Sequence, residues 1–203
     1  MTVTLHDGDL PEGLDLGAMI AVDSETMGLR PERDRLCLVQ LSAGDGDAHL
    51  VRFEKGQYDA PRLKAVLTDP NRLKLFHYAR FDIAVMKAYL GVDTGPNYCT
   101  KIASKLVRTY TDRHGLKDIC RELLNVEISK QQQSSDWGAA NLTAEQRAYA
   151  ASDVLYLHQL RQRLDEMLIR ENRMEIANAC FQFLPTRAAL DLIAYGDIDI
   201  FSH

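Results

Sequence analysis

Three short apolar segments near the start of the chain constrain its fold more than any other feature. They are rich in β-forming residues and read "AMIAVDSE" (18–25), "LCLVQLSAG" (36–44) and "AHLVRF" (48–53). The spacer "SAGDGD" between the last two has strong turn chemistry, which favours a tight reversal of the chain. The sequence therefore predicts an antiparallel meander in its first quarter.

Helical patterns dominate the remainder. A helix in "APRLKAVLTD" is followed by one more short strand in "RLKLFHY". Helical spacing then predicts helices over residues 80–91, 99–110 and 115–126, a long helical stretch from Thr143, and a last helix ending at about Phe183 before "LP". The order of the elements indicates an α/β fold with a mixed sheet flanked by helices, because strands come first, then a strand between helices, and then helices. We expect a single domain over residues 1–203.

The start of the long helical stretch has its own signal. Thr143 is a predicted N-cap, and Gln146 follows three residues later, as in a capping box.

Composition excludes several classes of protein. No apolar run approaches the roughly 20 residues of a membrane span, so no membrane association is expected. The N-terminal "MTVTLHDGDLPEGLD" lacks the apolar core of a secretory signal. The cysteines are scattered with no C-x-x-C pair, which argues against a zinc cage or a disulfide framework and fits a reducing cytoplasm.

The net charge of −5 constrains the substrate. Proteins that bind long nucleic acids usually carry a surplus of basic residues, because they neutralise many phosphates. We therefore expect any nucleic-acid substrate to be short, or to be held by a local basic patch.

Four acids interrupt apolar structure. Asp23 and Glu25 alternate at the end of the first strand and so point the same way. Asp82 starts a helix, where the helix dipole favours its charge. Asp153 lies on the late helix, one turn after Tyr149 and on the same face. Taken singly, these acids fit solvated strand-end residues and an N-terminal helix charge.

Taken together, the acids predict a metal site. Four carboxylates in one cleft repel each other unless divalent cations intervene, and oxygen ligands suit Mg²⁺ or Mn²⁺. Two such ions roughly 4 Å apart hydrolyse phosphodiesters in many enzymes. Tyr149 would orient the attacking water, because a phenol with an unperturbed pKa near 10 is a poor base.

The segments that carry these acids resemble the motifs of a known family. "VDSE", "HYARFD" and "YAASD" resemble the three exonuclease motifs of the DEDD superfamily in its tyrosine subtype, and "KQQQSSDW" with "LTAEQRAYAASDVLYL" is similar to the ribonuclease D group. The resemblance implies a ribonuclease H-like (DnaQ-like) fold and 3′→5′ exonuclease action with two divalent metals. It makes Asp23, Glu25, Asp82 and Asp153 metal ligands, and Tyr149 the residue that positions the nucleophile.

The chain also resembles the compact bacterial nanoRNase C group, in "RDRLCLVQ", "EISKQQQSSDW" and "CFQFLPTR". Full-length ribonuclease D carries further helical domains, which we do not expect here. The resemblance implies an oligoribonuclease that acts on dinucleotides and very short RNA, assembled as a homo-oligomeric ring, an octamer. A broader exonuclease on longer RNA or DNA, and a non-catalytic nucleic-acid-binding module, stay open.

Three residues near the motifs are predicted to bind substrate. Leu29 follows Gly28, and by resemblance to short-oligonucleotide exonucleases it wedges between two bases; the alternative is a strand-end leucine that closes the core. His77 and Arg80 precede Asp82, and either can contact a base or a phosphate. The alternative for His77 is a hydrogen-bonded core residue.

A polar loop precedes the catalytic helix and holds Gln132, Ser135 and Trp137. We expect it to close over the substrate or to form a subunit boundary. Trp137 either stacks on a base or anchors the loop by packing.

Two further segments have open assignments. A basic stripe is formed by Lys101, Lys105 and Arg108, and we favour a solvated face or a subunit contact for it over phosphate binding. The loop "RTYTDRH" is the better candidate for contact with substrate. The apolar tail, residues 184–203, either folds back on the core or makes subunit contacts.

Overall fold

The computed structural model describes residues 2–129, 131–196 and 198–202. Lys130, at the start of the predicted polar loop, and Asp197 and His203 of the predicted tail lie outside this part of the chain, as does Met1. The described strands are β1 (Val3–Asp7), β2 (Met19–Thr26), β3 (Leu36–Ser42), β4 (Ala48–Arg52), β5 (Leu73–Phe76) and β6 (Asn97–Cys99). The described helices are α1 (Pro61–Thr68), α2 (Ala79–Leu90), α3 (Thr100–Val107), α4 (Leu116–Leu124), α5 (Ala144–Leu155), α6 (Leu157–Arg170) and α7 (Met174–Leu192).

The strands form one mixed sheet in the order β1-β4-β3-β2-β5-β6. Strands β2, β3 and β4 pair antiparallel, so the predicted meander is confirmed. Strands β5 and β6 add to the β2 side in parallel, and β1 pairs in parallel with β4. The two edge strands, β1 and β6, were not predicted. The polar β1 reads "VTLHD" and β6 has only three residues, so neither carries a clear apolar pattern.

Helices cover the sheet and define where a site can form. Helix α5 packs on β2, β3 and β4, while α2 packs on β2, β3, β5 and β6 and against α7. Asp23 on β2 is directly opposite Gln40 on β3, and Gln40 is directly opposite Leu50 on β4. Residues directly opposite each other share a face of the sheet. Leu50 packs in one cluster with Ala150 of α5, so Asp23 lies on the face that α5 covers.

Two predicted helix ends were wrong. The long helical stretch is two helices, which meet at Tyr156. The last helix does not stop at Phe183 but continues through Pro185 to Leu192. Proline disfavours a helical conformation in the residue before it. Here Leu184 and Ala188 are both buried in the core, and this packing outweighs the local preference. Within the described part of the chain, every helix is too short or too polar to cross a bilayer.

The predicted solvated stripe on α3 was wrong at one position. Arg108 is fully buried and forms an ion pair with Glu122 at 2.5 Å. A buried guanidinium needs such partners, because transferring an isolated charge from water to the protein interior costs on the order of several kcal/mol. Arg108 therefore belongs to the internal structure of the α3–α4 region.

Candidate active site

Three carboxylates converge on one point of the sheet. Asp23 and Glu25 reach it from alternate positions of β2, and Asp153 reaches it from α5. One carboxylate oxygen from each lies within 4.8 Å of the others. The two acids lie inside β2, which extends to Thr26, rather than at its end as the sequence suggested.

The helix that brings Asp153 to the sheet begins as predicted. The Thr143 hydroxyl accepts a hydrogen bond from the backbone N–H of Gln146 at 3.2 Å, and the Gln146 side chain accepts one from the backbone N–H of Thr143 at 2.9 Å. This capping box is confirmed, and it fixes where α5 starts relative to the sheet.

Asp82 is buried beside these three acids. It lies in the first turn of α2, and the Ser24 hydroxyl donates a hydrogen bond to its Oδ1 at 2.6 Å. Burial raises the pKa of Asp82 to about 7, although the hydrogen bond from Ser24 favours the ionised form. The charge of Asp82 in turn raises the pKa of Asp23 and of Glu25.

Burial and mutual repulsion disfavour the ionised forms of these acids. Burial, and then the charges of Asp82, Asp153 and Glu25, hold the pKa of Asp23 well above its usual range. Burial, and then the charges of Asp153 and Asp82, raise the pKa of Glu25 to about 9. A cluster of like charges in a desolvated site stays ionised at neutral pH only if cations balance it. The donor set, all carboxylate oxygens, fits Mg²⁺ or Mn²⁺.

Tyr149 completes this group from α5. Burial, and then the Asp153 charge, raise the pKa of the phenol above its ordinary value, and a hydrogen bond with Asp153 acts in the same direction. The phenol therefore stays protonated at neutral pH and serves as a hydrogen-bond donor. Its ring packs against the buried ring of Trp137, with 5.9 Å between the centroids. Of the two roles considered for Trp137, the structure supports the packing anchor.

Gln40 supports the cluster from β3, and the sequence analysis did not single it out. Its Nε2 donates a hydrogen bond to Asp23 Oδ2 at 3.3 Å, and the side chain is fully buried. The sequence feature that could have indicated this role is a polar glutamine in the middle of the apolar segment "LCLVQLSAG".

A cleft of about 660 Å³ opens in front of the acids. Asp23, Glu25, Asp153 and Tyr149 line it together with Leu29, His77 and Ser135. Leu29 is 86% exposed, so the alternative that it closes the core was wrong.

The remaining substrate predictions have different surroundings. His77 lines the cleft and shares a hydrogen bond of 2.9 Å between its Nδ1 and the Thr100 hydroxyl. Gln132 accepts a hydrogen bond from the Ser135 hydroxyl at 2.6 Å and so supports a residue of the cleft wall. Arg80 forms an ion pair with Asp191 of α7 at 2.6 Å, which ties it to the helix packing rather than to the cleft wall.

The cleft also holds residues that the sequence analysis did not assign to a site. Tyr78 lies at the cleft with a left-handed backbone (φ 71°), a strained conformation for a tyrosine. The Lys101 ammonium lies 4.1 Å from the centroid of the Tyr78 ring, and Lys117 lines the same cleft. Lys101 was assigned only to the basic stripe, because a helical pattern does not show which residues face a neighbouring loop.

Comparisons with known proteins agree with this arrangement. A family model described as 3′-5′ exonuclease matches residues 9–169. Ribonuclease D of Gluconacetobacter diazotrophicus is 33% identical over 156 residues, which cover 77% of this chain and 39% of that protein. The chain thus spans about two fifths of the length of the curated ribonuclease D relatives it matches.

Solved structures match over the full chain. Brucella melitensis NrnC bound to pGG is 53% identical with a TM-score of 0.97, and the match covers 100% of this chain and 99% of that one. Brucella melitensis NrnC with bound Mg²⁺ is 52% identical with a TM-score of 0.96 and full coverage of both chains.

Proposed function

The chain belongs to the 3′-5′ exonuclease family, and on that premise we propose that it is an oligoribonuclease, which hydrolyses dinucleotides and very short RNA to mononucleotides from the 3′ end. The observation that carries this proposal is the cluster of Asp23, Glu25 and Asp153 at the base of a cleft, with Tyr149 beside it. The buried Asp82 next to the cluster adds a fourth carboxylate.

Asp23, Glu25, Asp82 and Asp153 would hold two divalent ions, Mg²⁺ or Mn²⁺. When bound, such ions activate a water and stabilise the leaving oxygen of a phosphodiester. The chain's own residues position the reactants. The protonated Tyr149 would donate a hydrogen bond that orients the attacking water, and Gln40 holds one oxygen of Asp23 so that the carboxylate keeps a fixed orientation.

Substrate binding is assigned to the outer cleft. Leu29 lies in the turn three residues after β2 and would separate the last two bases, while His77 and Ser135 would contact the sugar-phosphate chain. Gln132 would act by holding Ser135. For Arg80, which the sequence suggested as a substrate contact, we propose a supporting role through Asp191, because the two side chains join α2 to α7.

The preference for short RNA has two supports. The NrnC of Brucella melitensis, similar over the whole chain, has been solved with pGG bound. The net charge of −5 disfavours a long polyanion, because binding one requires many basic contacts.

The test is hydrolysis of 5′-labelled RNAs of two to seven nucleotides with Mg²⁺ or Mn²⁺. We expect turnover to fall with length, to require the metal, and to be abolished in Asp23→Ala. Equal or greater activity on long structured RNA would refute the preference for short substrates. Calorimetry that detects no Mn²⁺ binding would instead favour a non-catalytic nucleic-acid-binding module.

A second candidate is a broader exonuclease on longer RNA or DNA, because the family match also includes ribonuclease D. No described residue of the cleft is assigned to a 2′-hydroxyl, the group that distinguishes RNA from DNA. Competition between RNA and DNA dinucleotides in the same assay tests the preference for RNA, and the series of RNA lengths tests the preference for short substrates.

We also propose that residues 1–203 act as one exonuclease domain in a homo-oligomeric ring, an octamer, in the cytoplasm. After α7 the tail exposes apolar side chains, among them Tyr195, Ile198 and Phe201, which suits a subunit contact. All four cysteines are free thiols, which suits a reducing compartment. Light scattering coupled to gel filtration tests the assembly, and a monomeric mass would refute it.

A further inference from the structure

A loop before α5 forms one wall of the cleft. This cleft loop, residues 131–138, brings Gln133, Ser134, Ser135 and Trp137 to the cleft. Some of its hydrogen bonds are internal, such as the one from the Ser135 backbone N–H to the Gln132 carbonyl at 3.0 Å, and others join it to neighbouring segments. Its position relative to α5 therefore depends on the contacts that cross from the loop to the helix.

Gln146, in the first turn of α5, makes such a contact. Its Nε2 donates a hydrogen bond to the backbone carbonyl of Asp136 at 3.2 Å. Its Oε1 accepts from the backbone N–H of Thr143 at 2.9 Å, as part of the capping box. Because the side chain is buried, both bonds are shielded from water. One amide thus starts the helix with its oxygen and holds the loop with its nitrogen.

The carbonyl that Gln146 holds precedes Trp137. The indole of Trp137 is 3% exposed and packs on the Tyr149 ring, one turn beyond Gln146 on the same helix. Arg35 adds a longer contact of 3.4 Å from Nη2 to the carbonyl of Gly138, at the end of the loop. Fixing the Asp136 carbonyl therefore fixes both the cleft wall and the ring that packs on Tyr149.

We infer that Gln146 is a positioning residue that holds the cleft loop against the catalytic helix and so sets the affinity for substrate. The inference about affinity rests on the proposed function. The inference about the position of the loop does not, since it concerns only the packing of residues 131–138.

The substitution Gln146→Glu separates the two hydrogen bonds that this side chain makes. In Gln146→Glu the carboxylate still accepts from Thr143 and completes the capping box, and its charge suits a helix N-terminus. In its ionised form it cannot donate to the Asp136 carbonyl, and it places a second acceptor oxygen against that carbonyl. The substitution therefore removes the contact with the loop and keeps the contact that starts the helix.

Trp137 gives a readout independent of activity, because it is the only tryptophan in the chain. In Gln146→Glu we expect the acrylamide quenching constant of Trp137 to rise at least about twofold and KM for an RNA dinucleotide to rise about fivefold, the worth of one net hydrogen bond. The calorimetric Kd for Mn²⁺ should stay within about twofold, since the ligands are untouched.

Thr143→Ala is the matched control. It removes the hydroxyl of the capping box and leaves the Gln146 amide to bind Asp136, so it should lower Tm while quenching and KM stay at wild-type values. If Gln146→Glu does not fold, Gln146→Met takes its place, with the same expectations for quenching and KM.

Unchanged quenching and KM in the Gln146 variant would overturn the inference, as would an equal change of both in Thr143→Ala. If the unaltered protein has no nuclease activity, the proposed function fails. The quenching comparison then decides the position of the loop by itself.

Discussion

Charged side chains are arranged in opposite ways in two regions of the molecule. At the carboxylate cluster, Asp23, Glu25 and Asp153 gather like charges within 4.8 Å. Between α3 and α4, the buried Arg108 is paired with Glu122, and its guanidinium also donates to the Arg113 carbonyl at 2.7 Å.

The difference separates a structural network from a functional one. The Arg108 network balances its charge within the chain, and it serves the packing of two helices. On the proposed function, the carboxylate cluster lowers its energy by binding cations, so it is costly to the metal-free fold and useful for chemistry. Changes in the two regions should therefore affect different measurements.

The largest expected effect comes from the carboxylate cluster. Asp153→Asn removes one proposed anionic ligand and the charge beside Tyr149, so kcat/KM on an RNA dinucleotide should fall on the order of a thousandfold or more. Without metal the same variant should melt a few degrees higher, roughly, because repulsion with Glu25 is relieved. Steady-state kinetics and thermal melts in EDTA measure the two. Retained activity would contradict the assignment of Asp153 as a ligand.

The next effect falls on stability and leaves metal binding unchanged. Arg108→Met removes the donor shared by Ser104, Glu122 and the Arg113 carbonyl. Ser104 keeps its hydrogen bond with His114, and Glu122 keeps the one from Tyr110. We expect a loss of about 3 kcal/mol, or roughly 6–12 °C in Tm for a chain of this size.

The control for Arg108 is Arg121→Met, whose partly exposed pair with Asp118 spans 3.4 Å. An exposed pair of this kind contributes about 0.5 kcal/mol. Calorimetric Mn²⁺ binding should be equal in both variants. If Arg108→Met weakened Mn²⁺ binding while Tm stayed constant, the separation of the two regions would be wrong.

A further effect on stability is expected from pH. Folding raises the pKa of Glu25 to about 9 and of Asp82 to about 7, so between their ordinary and raised values the folded state binds more protons than the unfolded state. Stability without metal should therefore be highest at acidic pH and fall as pH rises through about 7 to 9. We expect Tm in EDTA to be lower at pH 9 than at pH 5.5, as thermal melts at the two pH values would measure.

Saturating Mg²⁺ should reduce or reverse this slope, because cations bind the ionised carboxylates. Asp153→Asn should flatten it, because the charge of Asp153 raises both pKa values. A metal-free Tm that rose from pH 5.5 to pH 9 would show that the fold does not disfavour the ionised forms of these acids.

The smallest effect is expected at the rim of the cleft. Leu29→Ala should leave Tm unchanged within about 1 °C, because the side chain is 86% exposed and contributes little to the core. If the leucine separates two bases, kcat/KM on a dinucleotide should fall about tenfold, the lower end of the effect of one lost apolar contact. Ile169→Ala on α6, 65% exposed, is the matched control and should change neither quantity. Equal kinetics in the two variants would remove Leu29 from the site.

The sequence determined the local parts of this protein. The twofold period of a strand puts Asp23 and Glu25 on one face, and the helical period puts Tyr149 and Asp153 on one face. The turn chemistry of "SAGDGD" determined the reversal between β3 and β4, and Thr143 with Gln146 determined the start of α5. These features depend on neighbours a few residues away, so they can be read from a pattern.

Only the tertiary structure decided which of these local parts meet. The register between β2 and β3 placed Gln40 opposite Asp23, and the packing of α5 over the sheet brought Asp153 to Glu25. It also buried Arg108 and left Leu29 exposed, although their patterns favoured a solvated stripe and allowed a core position. The physical reason is that a side chain's burial and partners depend on contacts between segments distant in sequence, which local periodicity does not encode.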